Sequence, residues 1–319
     1  MNFSIILKGM AMGIAEAIPG VSGGTIAFIT GIYERLLAAI GGILGPKVVR
    51  SLRRDGLAPA WKEADGGFLF QLGLGMVTGL GIAIFSITEL LELYPPVVWS
   101  FFFGLIIASA VYIGKQIQDW SFITIGLLIV GAIFAYWLTT INPLAGSASP
   151  VFIFLAGAIA ISALILPGIS GSFILLLLGM YTVIFSAVRE MASGDTAALL
   201  TVAVFALGCL VGLAVFSRVI TYTFTTFPNQ TMGLLTGFML GSLRTLWPWQ
   251  NTLSFRTNSA GEQVPLLQTP VLPEAYESGD SLLIGVIIAF LAGLAVVFLM
   301  DRFAPPAGEE LEPFAKEGL

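Results

Sequence analysis

The sequence Pro-Gly-Val-Ser-Gly-Gly-Thr-Ile at residues 19–26 returns as Pro-Gly-Ile-Ser-Gly-Ser-Phe-Ile at residues 167–174. A second match, Gly-Ile-Tyr at 31–33 and Gly-Met-Tyr at 179–181, has the same offset of 148 residues. Random apolar sequence rarely places Pro, Ser, Gly and Tyr together at constant spacing. The pattern therefore predicts an internal duplication.

The two segments interrupt an unusually apolar chain. Of its 319 residues, 57% are hydrophobic and 10% are charged, and the mean hydropathy is +0.95. A soluble domain has about 25% charged residues, so this composition predicts a membrane protein. The net charge of -5 excludes a nucleic-acid-binding surface. With no histidine and a single cysteine, Cys209, the chain has no disulfide framework, and we expect neither a metal site nor another cofactor.

Hydrophobic runs divide the chain into two similar halves. Runs that approach the roughly 20 residues of a spanning helix lie at 67–91, 97–113, 121–141, 197–217, 231–247 and 282–300. Residues 3–43 and 151–188 form longer regions that contain the Pro-Gly segments, and we predict that each is a re-entrant helical hairpin. One hairpin and three spans make up each repeat, 1–143 and 144–302, and a disordered cytoplasmic tail follows at 303–319.

A re-entrant hairpin enters and exits on the same side of the membrane, so only the three spans of each half cross it. Because three is an odd number, the second repeat starts on the opposite side, and the two repeats are predicted to be inverted. The basic residues of loop 44–66 place that loop, and with it both termini, in the cytoplasm. The predicted fold is an all-α polytopic protein of the bacterial cytoplasmic membrane, with the tips at Ser22 and Ser170 meeting near mid-membrane. Such inverted repeats with broken helices are typical of transporters. An alternative map makes each hairpin two full spans.

Each predicted tip has the composition of an anion site. Free N–H groups at the start of a helix bind anions, and glycine permits a close approach. Two converging tips would hold one phosphate or carboxylate. The candidate phosphate-binding residues are Gly20, Ser22, Gly23, Gly24, Thr25, Gly168, Ser170, Gly171 and Ser172. In the alternative interpretation, Pro and Gly only kink packed helices.

Three charged residues are further candidates. Glu16 lies about 9 Å from Ser22 along the incoming helix, and an acid inside the membrane is a functional candidate. Leu164 occupies the equivalent position in the second half, so Glu16 is not part of a symmetric cradle. We predict that Glu16 takes up a proton or pairs with a cation such as sodium; a structural hydrogen bond is the alternative. Arg218 and Arg244, near the ends of their spans, either guide an anionic headgroup or snorkel.

These segments resemble those of the bacterial polyprenyl-phosphate transporter family, formerly a domain of unknown function. The run Gly-Ser-Leu-Arg-Thr-Leu-Trp-Pro-Trp at 241–249 is also similar, and the resemblance covers residues 4–302. It implies a flippase that moves undecaprenyl phosphate, the carrier lipid of peptidoglycan synthesis, from the outer to the inner leaflet. By position, Ser22–Thr25 and Ser170–Ser172 would hold the phosphate.

Two other functions remain open. A carrier of small soluble organic anions accounts for the predicted cradle equally well. Undecaprenyl-pyrophosphate phosphatases also have a re-entrant Pro-Gly-x-Ser segment, but such chemistry requires Arg near the phosphate and an acid pair or histidine. Here Gly23 and Gly171 follow the tip serines, which favours a transporter over an enzyme. Inward movement of an anion opposes the membrane potential by about 2.3 kcal/mol per charge per 100 mV, so ion coupling is expected. The oligomeric state is left open.

Overall fold

The chain is predominantly helical in a computed structural model that describes residues 2–18, 21–43, 45–144, 146–147, 149–192, 194–257 and 263–303. Beyond Phe303, the predicted tail therefore lies outside the described residues. The helices are α1 (Phe3–Glu16), α2 (Gly23–Ile29), α3 (Tyr33–Ile43), α4 (Pro46–Arg54), α5 (Leu57–Glu63), α6 (Gly66–Leu93), α7 (Pro95–Gln116), α8 (Phe122–Leu138), α9 (Pro150–Ile165), α10 (Gly171–Leu177), α11 (Tyr181–Ala192), α12 (Thr196–Thr226), α13 (Pro228–Ser242) and α14 (Leu283–Phe303).

Three of these helices are long and apolar enough to cross a membrane within the described residues: α6, through its segment Gly66–Ala83, α7 and α12. Two bent pairs, α2 with α3 and α10 with α11, raise that number to five if each pair forms one span. Helices α8 and α9 and the α14 segment Leu283–Leu299 are apolar but shorter. The structure therefore agrees with a helical membrane protein, while the full set of six spans stays a prediction.

Both predicted hairpins contain a second break. The chain bends by 119° between α2 and α3 and by 106° between α10 and α11. Gly31 and Gly179 lie at these bends with φ angles of +75° and +66°. Side chains other than glycine rarely adopt this region. The repeated Gly-x-Tyr motif therefore marks a left-handed turn that redirects the chain in both halves.

Close helix contacts at glycine also repeat between the halves. A Cβ placed on Gly104 of α7 would lie 2.3 Å from the carbonyl oxygen of Phe290 in α14. Gly237 of α13 lies 133 positions after Gly104, and a Cβ placed on it would lie 2.1 Å from the carbonyl oxygen of Leu128 in α8. Small residues of this kind permit close helix packing in membranes. Each half thus packs α7 or α13 against a helix of the other half.

The helices beside the hairpins follow the same rule. Gly75 of α6 approaches Ile6 of α1, and Gly208 of α12 approaches Phe154 of α9 at the equivalent contact. Ile6 and Phe154 are 148 residues apart, as the two Pro-Gly segments are, and Gly75 and Gly208 are 133 apart, as Gly104 and Gly237 are. These equivalent contacts support the predicted duplication. The inversion of the two halves across the membrane stays a prediction.

We expect Gly237→Ala to lower thermal stability, because its methyl group has no space beside the Leu128 carbonyl. Overpacking of this kind costs about 1–3 kcal/mol. The matched control is Gly81→Ala in α6, where a Cβ meets nothing within 4 Å; this change is expected to be neutral or to stabilise by up to about 1 kcal/mol. Thermal melting of both purified proteins in detergent measures the difference. Equal melting temperatures would contradict the packing.

Two predicted elements differ from the structure. The predicted span 231–247 ends as α13 at Ser242, and a 3₁₀ turn continues over Leu243–Leu246. Loop 250–280 contains an antiparallel hairpin of strands β1 (Gln250–Thr257) and β2 (Gln263–Pro270), which hydropathy did not indicate because its apolar content is low. The pairing satisfies backbone groups that a plain loop would leave to solvent.

Candidate functional site

The two hairpin tips contact each other directly. The Ser22 hydroxyl donates to the backbone oxygen of Leu166 at 3.0 Å, and the Gly168 N–H donates to Thr25 Oγ1 at 3.1 Å. Ser22 and Thr25 are fully buried. The short hydroxyl side chains of the first tip therefore bind backbone groups of the second, which brings together residues that lie 143 and 144 positions apart.

Glycine permits this approach at two points. A Cβ on Gly24 would lie 2.4 Å from the Ile165 carbonyl oxygen. Gly168 has a φ of +82°, and a Cβ there would lie 2.7 Å from the Cα of Met239 in α13. Close packing, as well as the conformational freedom expected from the sequence, therefore explains these two glycines.

The N–H groups of the first tip are already paired within the protein. Ser22 caps α2 by accepting from the Gly24 N–H at 3.1 Å. The Glu16 carboxylate accepts from the Gly23 N–H at 2.7 Å. This corrects the expectation that Gly23 offers a free donor, because the anion at the start of α2 belongs to the chain itself. Gly20 lies outside the described residues.

Within the part of the chain that the structure describes, no carboxylate lies at the start of the second tip. Its Ser170 hydroxyl bonds to the Ser172 hydroxyl at 2.9 Å, and α10 begins without a side-chain cap. Leu164 packs 3.1 Å from a Cβ placed on Gly171, in the position that Glu16 takes beside Gly23. Leucine has no acceptor atom. Among the described residues, the start of α10 therefore has no carboxylate in the position that Glu16 takes in the first half.

A small cavity adjoins this second tip. It is lined by Ala135, Leu138, Thr139, Gly168, Ile169, Ser170, Phe173, Ser242 and Thr245. Its volume of about 20 Å³ is enough for one water molecule. A phosphate group is larger than a water, so the cavity is too small to hold one. We call this arrangement of the tips closed.

Of the two candidate arginines, Arg244 reaches the edge of this cavity. Its guanidinium donates to the backbone oxygen of Thr139 at 2.9 Å and lies 5.9 Å from the ring centre of Tyr136. Arg218 is exposed and lies beside Gly41 of α3, outside the cavity lining. Helix α12 extends to Thr226, so Arg218 lies within the helix, and its position near the end of the membrane span stays a prediction.

Sequence reasoning missed three hydroxyl residues of the cavity. Ser242 and Thr245 belong to the run 241–249, which the resemblance singled out without assigning a role. Thr139 follows the end of α8, where no motif marks it. The signal for the first two residues was present in the sequence, but only the packing of α13 against the second tip shows where they lie.

Comparisons with known proteins agree with the resemblance. A family described as undecaprenyl phosphate translocase-like matches residues 12–264. A polyprenyl-phosphate transporter of Vibrio cholerae is 43% identical over 308 residues, which cover 95% of this chain and 98% of the relative. A polyprenyl-phosphate transporter of Staphylococcus aureus is 34% identical over 256 residues, covering 76% and 85%. No solved structure matches the chain. The chain therefore belongs to the undecaprenyl phosphate translocase-like family.

Proposed function

We propose that this protein moves undecaprenyl phosphate from the outer to the inner leaflet of the bacterial cytoplasmic membrane, and so returns the carrier lipid for envelope glycan synthesis. The observation that carries this proposal is the asymmetry of the tips. Glu16 fills the start of α2, whereas the start of α10 faces Leu164 and a hydroxyl-lined cavity. The names of the two relatives supply the substrate class.

The phosphate binds first at the second tip. Backbone N–H groups of Gly171 and Ser172 and the Ser170 hydroxyl provide donors, and Arg244 adds positive charge at the cavity edge. Gly168 lets the tip turn close to α13. The polyprenyl chain stays in the hydrocarbon layer while the phosphate, which hydrocarbon cannot solvate, passes between the tips.

The first tip acts as the gate and then as the second half of the cradle. In the closed arrangement, Ser22 and Thr25 hold the second tip through the hydrogen bonds to Leu166 and Gly168. When the tips separate, these hydroxyls and the Gly24 backbone become available to the phosphate. Gly20 and Gly23 complete the donor set proposed for this tip.

Glu16 couples transport to an ion. Its carboxylate and the lipid phosphate compete for the same kind of site, a helix start with free N–H groups. Uptake of a proton or sodium ion by Glu16 weakens its bond to Gly23 and frees that N–H for the phosphate. The ion also compensates the charge of the phosphate as it moves against an inside-negative potential.

We expect undecaprenyl phosphate to stabilise the purified protein against heat, because a ligand that binds only the folded state adds about 2.7 kcal/mol at a hundred times its Kd. Undecaprenol, which lacks the phosphate, and a soluble dicarboxylate are the controls. Neither should raise the melting temperature as much. Equal stabilisation by the dicarboxylate would favour the carrier of small organic anions. In a separate assay, release of phosphate from undecaprenyl pyrophosphate by the purified protein would show that it is an enzyme.

Depletion in cells tests the direction of transport. Cells that lack this protein should accumulate undecaprenyl phosphate on the external leaflet, where an impermeant phosphate-binding probe detects it. Accumulation on the cytoplasmic leaflet would reverse the proposed direction.

A further inference from the structure

A second cavity lies between α7, α14 and the segment that follows the 3₁₀ turn. Its volume is about 400 Å³, and its walls include the aromatic side chains of Phe103, Trp247, Trp249 and Phe290. We propose that this cavity binds the isoprenoid units of polyprenyl phosphate that are nearest the phosphate. The inference rests on the proposed function and adds to it a site for the lipid chain.

The aromatic side chains form one continuous wall. Phe103 packs edge-on against Trp247, with ring centres 5.6 Å apart, and also lies 6.2 Å from Phe290. Trp247 in turn lies 6.0 Å from Trp249. Rings packed against one another in this way present carbon surfaces to the interior of the cavity.

The polar side-chain groups around the cavity are bonded elsewhere. The Ser100 hydroxyl donates to the backbone oxygen of Val286 at 2.6 Å. The indole N–H groups of Trp247 and Trp249 donate to the backbone oxygens of Val271 and Ser281, both at 2.8 Å. The side chains that line the cavity therefore offer no free donor, and the cavity suits an apolar occupant.

The cavity has a buried floor and an exposed mouth. Ser100, Val286 and Trp249 are buried, whereas Ile287 and Leu291 are 51% and 55% exposed. The two exposed residues are four positions apart and share a face of α14. On a helix as apolar as α14, that face contacts lipid. A lipid chain can therefore enter sideways from the bilayer.

One short segment links this cavity to the smaller one beside the second tip. Ser242 and Thr245 line the small cavity, and Trp247–Trp249 line the large one. A ligand with a charged group joined directly to an apolar chain matches a small cavity that has hydroxyl side chains in its wall and a larger, aromatic cavity beside it. A soluble anion needs only the first. In this arrangement, residues 241–249 contact both the phosphate and the isoprenoid chain of the bound lipid.

Substitution at the mouth tests the proposal. Leu291→Trp places a larger ring across the opening, and Ile288→Trp makes the same kind of change at a neighbouring exposed position that does not line the cavity. We expect Leu291→Trp to weaken binding of undecaprenyl phosphate by about tenfold or more, roughly 1.4 kcal/mol. Binding of isopentenyl phosphate, which has a single isoprene unit, should change much less. Ile288→Trp should bind both as the unsubstituted protein does.

Crosslinking of the unsubstituted protein gives a second readout. A polyprenyl phosphate with a diazirine in its first isoprene units should label residues 247–249 or 286–291. Three results would overturn the proposed site for the lipid chain. The crosslink could label residues elsewhere, or both tryptophan variants could lose the same amount of lipid binding. A membrane phospholipid could also protect residues 247–249 and 286–291 from crosslinking as well as undecaprenyl phosphate does. Failure of the unsubstituted protein to bind undecaprenyl phosphate would instead overturn the proposed function.

Discussion

Leu164→Glu is expected to abolish transport, with a loss of about 100-fold or more, which corresponds to roughly 2.7 kcal/mol. In the first half, Glu16 accepts from the Gly23 N–H, and Leu164 occupies the equivalent position beside Gly171. A carboxylate introduced there would bind the start of α10 and repel the incoming phosphate. Lipid flipping by purified protein in vesicles, with lipid binding in detergent, measures the effect.

Leu164→Gln is the matched control, because it has the same size as the glutamate variant without the charge. Its loss should be much smaller, since a neutral amide binds a helix start more weakly than a carboxylate does. Activity of Leu164→Glu should also recover as the pH falls and the new carboxylate is protonated. Equal losses in the folded Glu and Gln variants, or none in either, would show that the second tip does not bind the phosphate.

Glu16→Gln is expected to remove the dependence of transport on pH or sodium and to slow inward transport by about tenfold or more, roughly 1.4 kcal/mol. The amide oxygen can still accept from the Gly23 N–H, but more weakly than the carboxylate does, so the variant resembles the ion-loaded state of Glu16. The amide cannot change its charge, so the ion that offsets the phosphate is lost. Flipping rates in vesicles, measured across a range of pH and with or without sodium, report both effects.

The control for Glu16→Gln is Glu34→Gln, which makes the same chemical change at an exposed position at the start of α3. Transport by this variant should keep its rate and its ion dependence. If Glu16→Gln retained both, Glu16 would be a structural acceptor only, as the alternative interpretation of the sequence holds. Loss of folding is separated from loss of coupling by the melting temperature.

The repeated motifs predicted the breaks in the chain because their cause is local. Ser22 caps α2, and Gly31 and Gly179 have positive φ angles, so the conformation depends on the residues at those positions. The second bend at Gly31 and Gly179 could have been predicted from the same match. It was missed because hydropathy continues unchanged through both bends.

The candidate site was only partly predictable because its contacts join distant parts of the chain. Spacing placed Ser22 and Ser170 at the two tips, but it could not show that Glu16 already occupies the Gly23 donor. Nor could it bring Ser242 and Thr245 to the second tip. The positions of Ser242 and Thr245 depend on the packing of α13, which no local pattern encodes.

By itself, the sequence determined the apolar, helical character of the chain, the repeated motif and the position of the two tips, because composition, hydropathy and glycine conformation are properties of single residues and short segments. Only the tertiary structure decided which donors are free. The two halves share one motif, yet a carboxylate stands beside one helix start and a leucine beside the other. The physical reason is that a hydrogen-bond donor is available only if no neighbour in space accepts from it.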